Sequence, residues 1–333
     1  MMRREVATTT TGRKVLTIII VNWKSCDFLR KCLESIFLGP TDRSIEVIVV
    51  DNASFDGSRG LIQTSFPGVR FLQSDRNLGF AGANNVGYKN AQGKYLLFLN
   101  PDTEIVGTAL ELMVSALDSN PEAGIIGAKL LNSDRSLQAS CIQPFPTILN
   151  QVLDFDFLMT AFPKLSLWGT APLFEAHTEP VPVDVVSGAC LMIRRDVFER
   201  IGGFSTCYFM YAEDVDLCWK ARKAGWKSYY LAGAQVVHHG GRSTAFKEKT
   251  NFSSVMMRES RLRFMRESRG SAYAVIYQVS TALVAACRVL VLSAAFVLPL
   301  GKSRGRSFRY AFRKWAAIFR WAIGLESWVR TLA

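Results

Sequence analysis

A chain of 333 residues with 49% hydrophobic content exceeds the usual single domain and can bury a sizeable core, leaving room for an appendage. Its seven cysteines (Cys26, Cys32, Cys141, Cys190, Cys207, Cys218, Cys287) are odd in number and form no Cys-x-x-Cys pair, which excludes a disulfide framework or zinc ribbon and predicts reduced core thiols. The net charge of +12 is concentrated near the C-terminus, where Gly301 to Ala333 carries eight Lys and Arg against Glu326 alone.

Residues 1–14 are polar, with a Thr8-Thr9-Thr10-Thr11 run and no apolar segment, so they read as a disordered N-terminus without a secretory signal. The run Val15-Leu16-Thr17-Ile18-Ile19-Ile20-Val21 predicts a buried strand ending in Asn22-Trp23, and Phe28 to Phe37 predicts an amphipathic helix. A second apolar strand, Ile45 to Val50, ends in Asp51-Asn52-Ala53-Ser54 followed by Asp56-Gly57-Ser58. A third, Tyr95 to Leu99, stops abruptly at Asn100-Pro101-Asp102-Thr103. Continuous apolar runs of this kind are parallel strands buried on both faces, and ligands of open α/β sheets collect outside their carboxyl ends. Acids from two strands are thereby delivered to one sheet edge. No glycine-rich dinucleotide fingerprint follows the first strand, which argues against a dehydrogenase, and no basic glycine-rich loop is there to bind a triphosphate.

Further along lie Asn77-Leu78-Gly79-Phe80-Ala81, Asn84-Asn85-Val86-Gly87, Ser187-Gly188-Ala189, Glu213-Asp214-Val215-Asp216-Leu217 and His238-His239-Gly240-Gly241-Arg242-Ser243. Together with the three strand ends, and in this order, these blocks resemble inverting glycosyltransferases of family 2, nearest to the rhamnosyltransferase-like subgroup, over about residues 15 to 245. The resemblance implies an α/β fold of the GT-A type, a nucleotide-sugar-binding Rossmann-like mixed sheet flanked by helices, over residues 15–250. It implies transfer of a sugar, rhamnose from a dTDP donor in the nearest subgroup or another dTDP- or UDP-sugar, with inversion onto a glycan or lipid-linked acceptor in cell-envelope polysaccharide synthesis.

The resemblance also assigns roles to residues. Asp214 matches the general base, Glu213 a contact to donor or acceptor hydroxyls, and Asp216 a support at the start of the following helix; Tyr211 and Trp219 fall on the acceptor side. Asn22, Asp51, Asn77, Gly79, Phe80, Asn84, Asn100, Ser187 and Gly188 fall on the donor and nucleotide side, with Asp51 at the nucleobase. Asp102 and His238 match ligands of a divalent cation, Mg²⁺ or Mn²⁺, that neutralises the leaving diphosphate. The family's usual Asp-x-Asp is Asn100-Pro101-Asp102 here, so the first acid is missing. Each assignment competes with a structural role: Asp51 can cap its own turn through Ser54, the acidic Glu213–Asp216 turn can cap a helix over Val215 to Lys223, and Trp219 can fill core. A nucleotidyl or sugar-phosphate transferase, and a membrane-anchored glycan-binding pseudoenzyme, stay open at this point.

Residues 251–333 read as a helical, basic, membrane-associating region. Ala272 to Leu300 is long and apolar enough to span a bilayer but carries Arg288 near its middle, so it predicts a membrane-embedded or interfacial helical hairpin. Arg309, Arg313, Lys314 and Arg320 interleave with Phe308, Tyr310, Phe312, Trp315, Phe319 and Trp321, the makeup of an amphipathic helix on an anionic leaflet. The expected location is the cytoplasmic face of a cell membrane. Nucleic acid is not an expected partner, since the charge flanks an apolar segment, and an oligomer remains compatible with the sequence.

Overall fold

The computed structural model describes residues 15–39, 44–154, 156–175, 177–240, 251–295 and 302–331. The first half alternates strand and helix: β1 (Leu16–Asn22), α1 (Cys26–Leu38), β2 (Ile45–Asn52), α2 (Ser58–Ser65), β3 (Arg70–Ser74), α3 (Gly79–Lys89), β4 (Tyr95–Leu99), β5 (Thr103–Ile105), α4 (Ala109–Ser119) and β6 (Ala123–Leu131). A less regular middle follows, with β7 (Ile142–Gln143), α5 (Ile148–Val152), α6 (Asp156–Ala161), β8 (Val181–Val183), β9 (Val185–Val186), β10 (Cys190–Arg194) and α7 (Arg195–Arg200). The chain ends with α8 (Glu213–Lys223), the long β11 (Lys227–His238), and four helices: α9 (Phe252–Arg269), α10 (Ser271–Ala295), α11 (Lys302–Ala322) and α12 (Trp328–Thr331).

Among the described residues one mixed sheet runs β3-β2-β1-β4-β10-β6-β11-β5, with β8 alongside β11. The first four strands are parallel, whereas β10 runs antiparallel to both β4 and β6. Every residue of β1 and β4 is buried, which is why those segments are apolar without alternation. This arrangement puts the ends of β1, β2 and β4 on one edge, with Asn22 opposite Asp51, while the start of β10 returns to the end of β4, where the Asn100 N–H donates to Ala189 O at 3.0 Å. Strand β11 reaches the same edge from the other side, pairing His238 with Thr103. The sheet order therefore places Asp51, Asp102 and His238, at their strand ends, toward one edge.

The apolar segment beginning at Ala272 departs from expectation. Within the described residues it is one continuous helix, α10, rather than a hairpin. Arg288 does not break it because its guanidinium lies 3.9 Å over the Trp315 ring and donates to the Asp154 carbonyl at 3.0 Å. The hairpin is made instead by α10 against α11: Gln278 Nε2 donates to Ala322 O at 2.9 Å, and the Arg288–Trp315 pair lies further along, which sets the two helices antiparallel. Val275, Ile276, Val279, Leu283, Leu290 and Val291 stay exposed on α10, an apolar face on a helix long enough to cross a membrane.

The C-terminal helices are not a separate body, since Val255, Phe264, Met265, Tyr277 and Trp321 belong to the same continuous core as the sheet. Helix α9 is the joint, with Phe264 edge-on to Trp219 of α8 and Glu259, buried, accepting from Trp321 Nε1 at 2.9 Å. All seven cysteines are free; Cys32, Cys141, Cys190 and Cys218 are core, but Cys207 and Cys287 are exposed.

Candidate functional site

A cavity of about 350 Å³ opens at the carboxyl edge of the sheet. Its wall contains Asn77, Gly79, Phe80, Asn100, Asp102, Ser187, Gly188, Tyr211, Glu213, Asp214 and His238, so most of the residues singled out in the sequence do converge. Trp23, Ser25, Asn52, Phe209 and Met210 complete it. A larger hollow of about 1010 Å³ on the far side of α3, lined by Arg76, Lys89, Glu199 and Thr206 among others, holds no paired acids.

The carboxylate pair is delivered by a strained turn. Tyr211 and Ala212 both adopt left-handed backbone (φ 69° and 63°), a conformation costly for residues with a Cβ, immediately before α8 begins at Glu213. The turn is pinned from outside by α9, whose Ser260 Oγ donates to Met210 O at 2.7 Å while Arg263 Nη1 donates to Cys207 O at 3.0 Å. Asp214 accepts backbone N–H bonds from Gly188 at 3.0 Å and Val215 at 2.8 Å. A Cβ at Gly188 would meet Asp214 Cβ at 3.4 Å, an ordinary van der Waals contact, so the small residue is accommodated there without being required. Glu213 has only its own backbone amide as a donor, and its Oε2 is buried without a hydrogen-bond partner. Burial, and then the neighbouring Asp214 charge, push the Glu213 carboxyl up from 4.5 to about 8. Burial also raises Asp214, but its two backbone donors oppose the shift. Of the pair, Asp214 is thus the one held as an anion and Glu213 the one that keeps its proton at neutral pH.

On the other wall, β5 and β11 bring His238 Nε2 to 3.4 Å from Asp102 Oδ1 and 3.3 Å from Asn100 Nδ2. The imidazole's other nitrogen, Nδ1, lies 2.7 Å from Gln138 Oε1, and Gln138 Nε2 donates to Asn132 Oδ1 at 3.2 Å. The amide is thereby oriented with its oxygen toward the ring, so Nδ1 carries the hydrogen and Nε2 the lone pair. A lone pair facing a carboxylate at that distance is repulsive unless a proton or a cation lies between them, and an imidazole nitrogen with a carboxylate suits a divalent cation. The residues therefore fit one. No cluster of three or more His, Cys, Asp or Glu able to hold a metal exists among the described residues, so the remaining ligands would be phosphate oxygens and water. His239 faces away, held between Glu104 at 2.7 Å and Ser133 at 2.8 Å. Gly241 and Ser243 of the same motif lie outside the described residues.

Five expected residues do not line the cavity. Asp51 lies fully buried beneath it: Oδ1 accepts from Asn22 Nδ2 at 3.0 Å, Ser54 Oγ and Ser58 Oγ, and Oδ2 from Gln73 Nε2 at 2.7 Å and the Ser54 and Phe55 amides. Burial raises its carboxyl, but the bonds from Ser54, Gln73 and Asn22 outweigh that and hold it below the usual range. Asn22, also fully buried, ties Asp51 to Asp56 by donating to both. Asn84 bonds back to Phe80 O at 3.0 Å inside α3. Asp216 is buried behind the turn, accepting from Ser205 Oγ at 2.6 Å and pairing with Lys220 at 3.4 Å, so it braces the loop rather than facing an acceptor. Trp219 packs edge-on to Phe145 and Phe264 in the core.

With this geometry in view, the comparisons with known proteins are decisive. Residues 17–202 match the family described as glycosyl transferase family 2, and residues 142–327 match the glycosyl transferase family group 2. The chain belongs to glycosyl transferase family 2. This glycosyltransferase is 32% identical over 243 residues, 69% of its length and 78% of the relative's, to N-acetylglucosaminyl-diphospho-decaprenol L-rhamnosyltransferase of Mycobacterium tuberculosis. It is 27% identical to rhamnosyltransferase WbbL of Escherichia coli over 67% of this chain and 82% of that one. Its fold is shared with mannosyltransferase PcManGT from Pyrobaculum calidifontis, solved with GDP-Man and Mn2+, at TM-score 0.56 and 18% identity over 96% of this chain and 89% of that one. The GT-A type of sheet anticipated from the sequence is thus the one found.

Two residues that shape the glycosyltransferase site have no role assigned from the sequence. Asn52, although part of the Asp51-Asn52-Ala53-Ser54 strand end, clamps the loop before α3, accepting from the Leu78 amide at 2.8 Å and donating to Asn77 Oδ1 at 2.9 Å. Gln138 orients His238 across 100 residues of sequence, and nothing in its surroundings marks it. The Asn132-Ser133-Asp134 turn before it was the available hint, since a turn there returns the chain to the sheet edge.

The protonation of Glu213 has a consequence for stability. Between its unfolded value near 4.5 and about 8, the native protein binds more protons at this site than the unfolded chain, so stability falls as pH rises across that window. Glu213→Gln is expected to remove this slope and leave the variant the more stable form on the alkaline side. Urea midpoints of both proteins at about pH 5.5 and 8.5 check it; parallel pH dependences would mean that Glu213 titrates normally.

Proposed function

We propose that this glycosyltransferase moves a sugar, rhamnose from dTDP-rhamnose, onto a lipid-linked saccharide with inversion, in assembly of a cell-envelope glycan at the cytoplasmic face of the membrane. The observation that carries the reading is that one cavity holds both the Asp102–His238 pair and the Glu213–Asp214 pair. The rhamnosyltransferase names of its relatives support the choice of sugar, and the decaprenol in one of them supports the choice of acceptor.

The nucleotide-sugar lies over the β1, β2 and β4 ends, with Asn77, Gly79 and Phe80 beside it. Gly79 is essential there, since its left-handed backbone (φ 70°) brings it so close to the Phe209 carbonyl that a Cβ would fall 2.7 Å from the oxygen. For a base N–H to reach Asp51, one of its present donors has to turn away, and the Ser54 hydroxyl and Gln73 amide are the side chains free to rotate. Asp102 and His238 would hold a divalent cation, Mg²⁺ or Mn²⁺, which would supply charge neutralisation at the leaving diphosphate. Asn100, in place of the first acid of the usual motif, adds no charge, and its Nδ2, 3.3 Å from His238 Nε2, would yield that nitrogen's lone pair to the cation.

Asp214 accepts the proton of the acceptor hydroxyl as that oxygen attacks the anomeric carbon opposite the diphosphate. Glu213, protonated, offers its buried and otherwise unpartnered oxygen to a sugar hydroxyl. A panel of nucleotide-sugars with the full-length protein, Mg²⁺ or Mn²⁺ and a lipid-linked saccharide, read as released nucleoside diphosphate, tests the reading. Release from dTDP-rhamnose in excess of all others is expected; release from none of the panel would sink it.

A further inference from the structure

A second cavity, of about 770 Å³, lies away from the catalytic one, between α9, α10 and α11. Its composition divides sharply. Leu283, Val284, Val291 and Leu292 of α10 form an apolar wall, while Arg258 of α9, Arg288 of α10 and Lys314 of α11 point cations into it, against the single acid Asp154. The positive charge is poorly compensated. Arg258 is buried, yet its ion pair with Asp154 is long, at 3.8 Å, and Asp154 is itself partly exposed. One turn further along α9, Arg261 shares the Gln151 Oε1 acceptor with Arg258, so two guanidinium groups crowd one neutral oxygen. A buried guanidinium such as Arg258, with one long ion pair and a shared neutral acceptor, is favoured by an added anion.

We propose that this groove seats the lipid end of the acceptor, a polyisoprenyl chain along the apolar wall of α10 with its phosphates against Arg258, Arg288 and Lys314. The inference rests on the proposed transfer to a lipid-linked saccharide and adds where that lipid lies. Two features favour such a ligand over bulk phospholipid. The cations are recessed between helices instead of spread on the outer face, and the apolar wall is continuous with the exposed apolar face of α10.

The test is equilibrium binding to the full-length protein in detergent, without any donor, using farnesyl diphosphate as probe and inorganic pyrophosphate and dioleoylphosphatidylglycerol as comparisons. Farnesyl diphosphate is expected to bind about tenfold or more tightly than either, because only it combines the charge-assisted contacts with a prenyl chain that fits the groove. Arg288→Gln and Lys314→Gln should each weaken it several-fold. Val284→Trp, which fills the groove without touching a charge, should weaken it while leaving pyrophosphate unaffected. Binding of nucleoside diphosphate serves as the control for folding and should not move. Equal binding of the phosphatidylglycerol, or insensitivity to Val284→Trp, overturns the inference. The two proposals fail separately: consumption of nucleotide-sugar with a short water-soluble acceptor, alongside no binding of farnesyl diphosphate, removes the groove and keeps the transferase reading, whereas binding without turnover of any nucleotide-sugar does the reverse.

Discussion

Asp214→Asn is expected to slow sugar transfer by at least about a hundredfold while nucleoside diphosphate binds almost as before, since a general base contributes roughly 10²–10⁴ in rate. The substitution is conservative in shape, and the Asn oxygen can still accept one of the two amide bonds from Gly188 and Val215 that fix the side chain. The neighbouring acid makes the result sharper. In Glu213→Gln the oxygen that stays without a partner is still present, so a smaller loss is expected than for Asp214→Asn. Steady-state transfer and nucleotide titration of both variants provide the check. Near wild-type turnover by Asp214→Asn would show that the acids at the start of α8 serve the helix and not the acceptor.

The second large effect concerns the cation. Asp102→Ala and His238→Ala should each weaken divalent-dependent binding of nucleoside diphosphate by about tenfold or more, because among the described residues these two are the groups placed to hold the cation and the loss of either leaves a single ligand. Gln138→Leu should reproduce part of the His238 effect without removing a ligand, by freeing the imidazole to carry its hydrogen on Nε2. Titrations with Mn²⁺ and with chelator distinguish the cases. Binding that ignores chelator in the unmodified protein would make Asp102 and His238 an ordinary buried ion pair.

What could be read from the sequence was whatever local pattern encodes. The strands ending at Asn22, Asn52 and Leu99 are unbroken apolar runs because the sheet buries both their faces, and that cue needs no knowledge of partners. Asp102, Glu213, Asp214 and His238 stand out as acids or an imidazole at the ends of strands and the start of a helix, and the structure brings all four into one cavity. Asn22, Asp51 and Asn84 have the same local pattern but lie outside the cavity wall, because amides and carboxylates at such positions are also what turns and helices require, and here they bond to their own neighbours. Gln138 and Arg261 were invisible because their meaning lies in pairing across the fold, with residues 100 and 110 positions away. Arg288 was read as an interruption of an apolar segment, while its partner Trp315 sits on the next helix and removes the conflict.

The pinning of the catalytic turn by α9 sets a limit on how this protein can be recombined with others. Residues 207 and 210 take hydrogen bonds from Arg263 and Ser260, and Glu259 on the same helix is claimed in turn by Trp321 of α11. The loop that carries the acids and the helices that carry the apolar face were therefore selected as one unit. A chimaera that grafts another transferase's C-terminal helices at residue 250 severs both sets of bonds, however well the strands align. The exchangeable cassette is discontinuous, pairing about residues 203–212 with the helices from Phe252 onward.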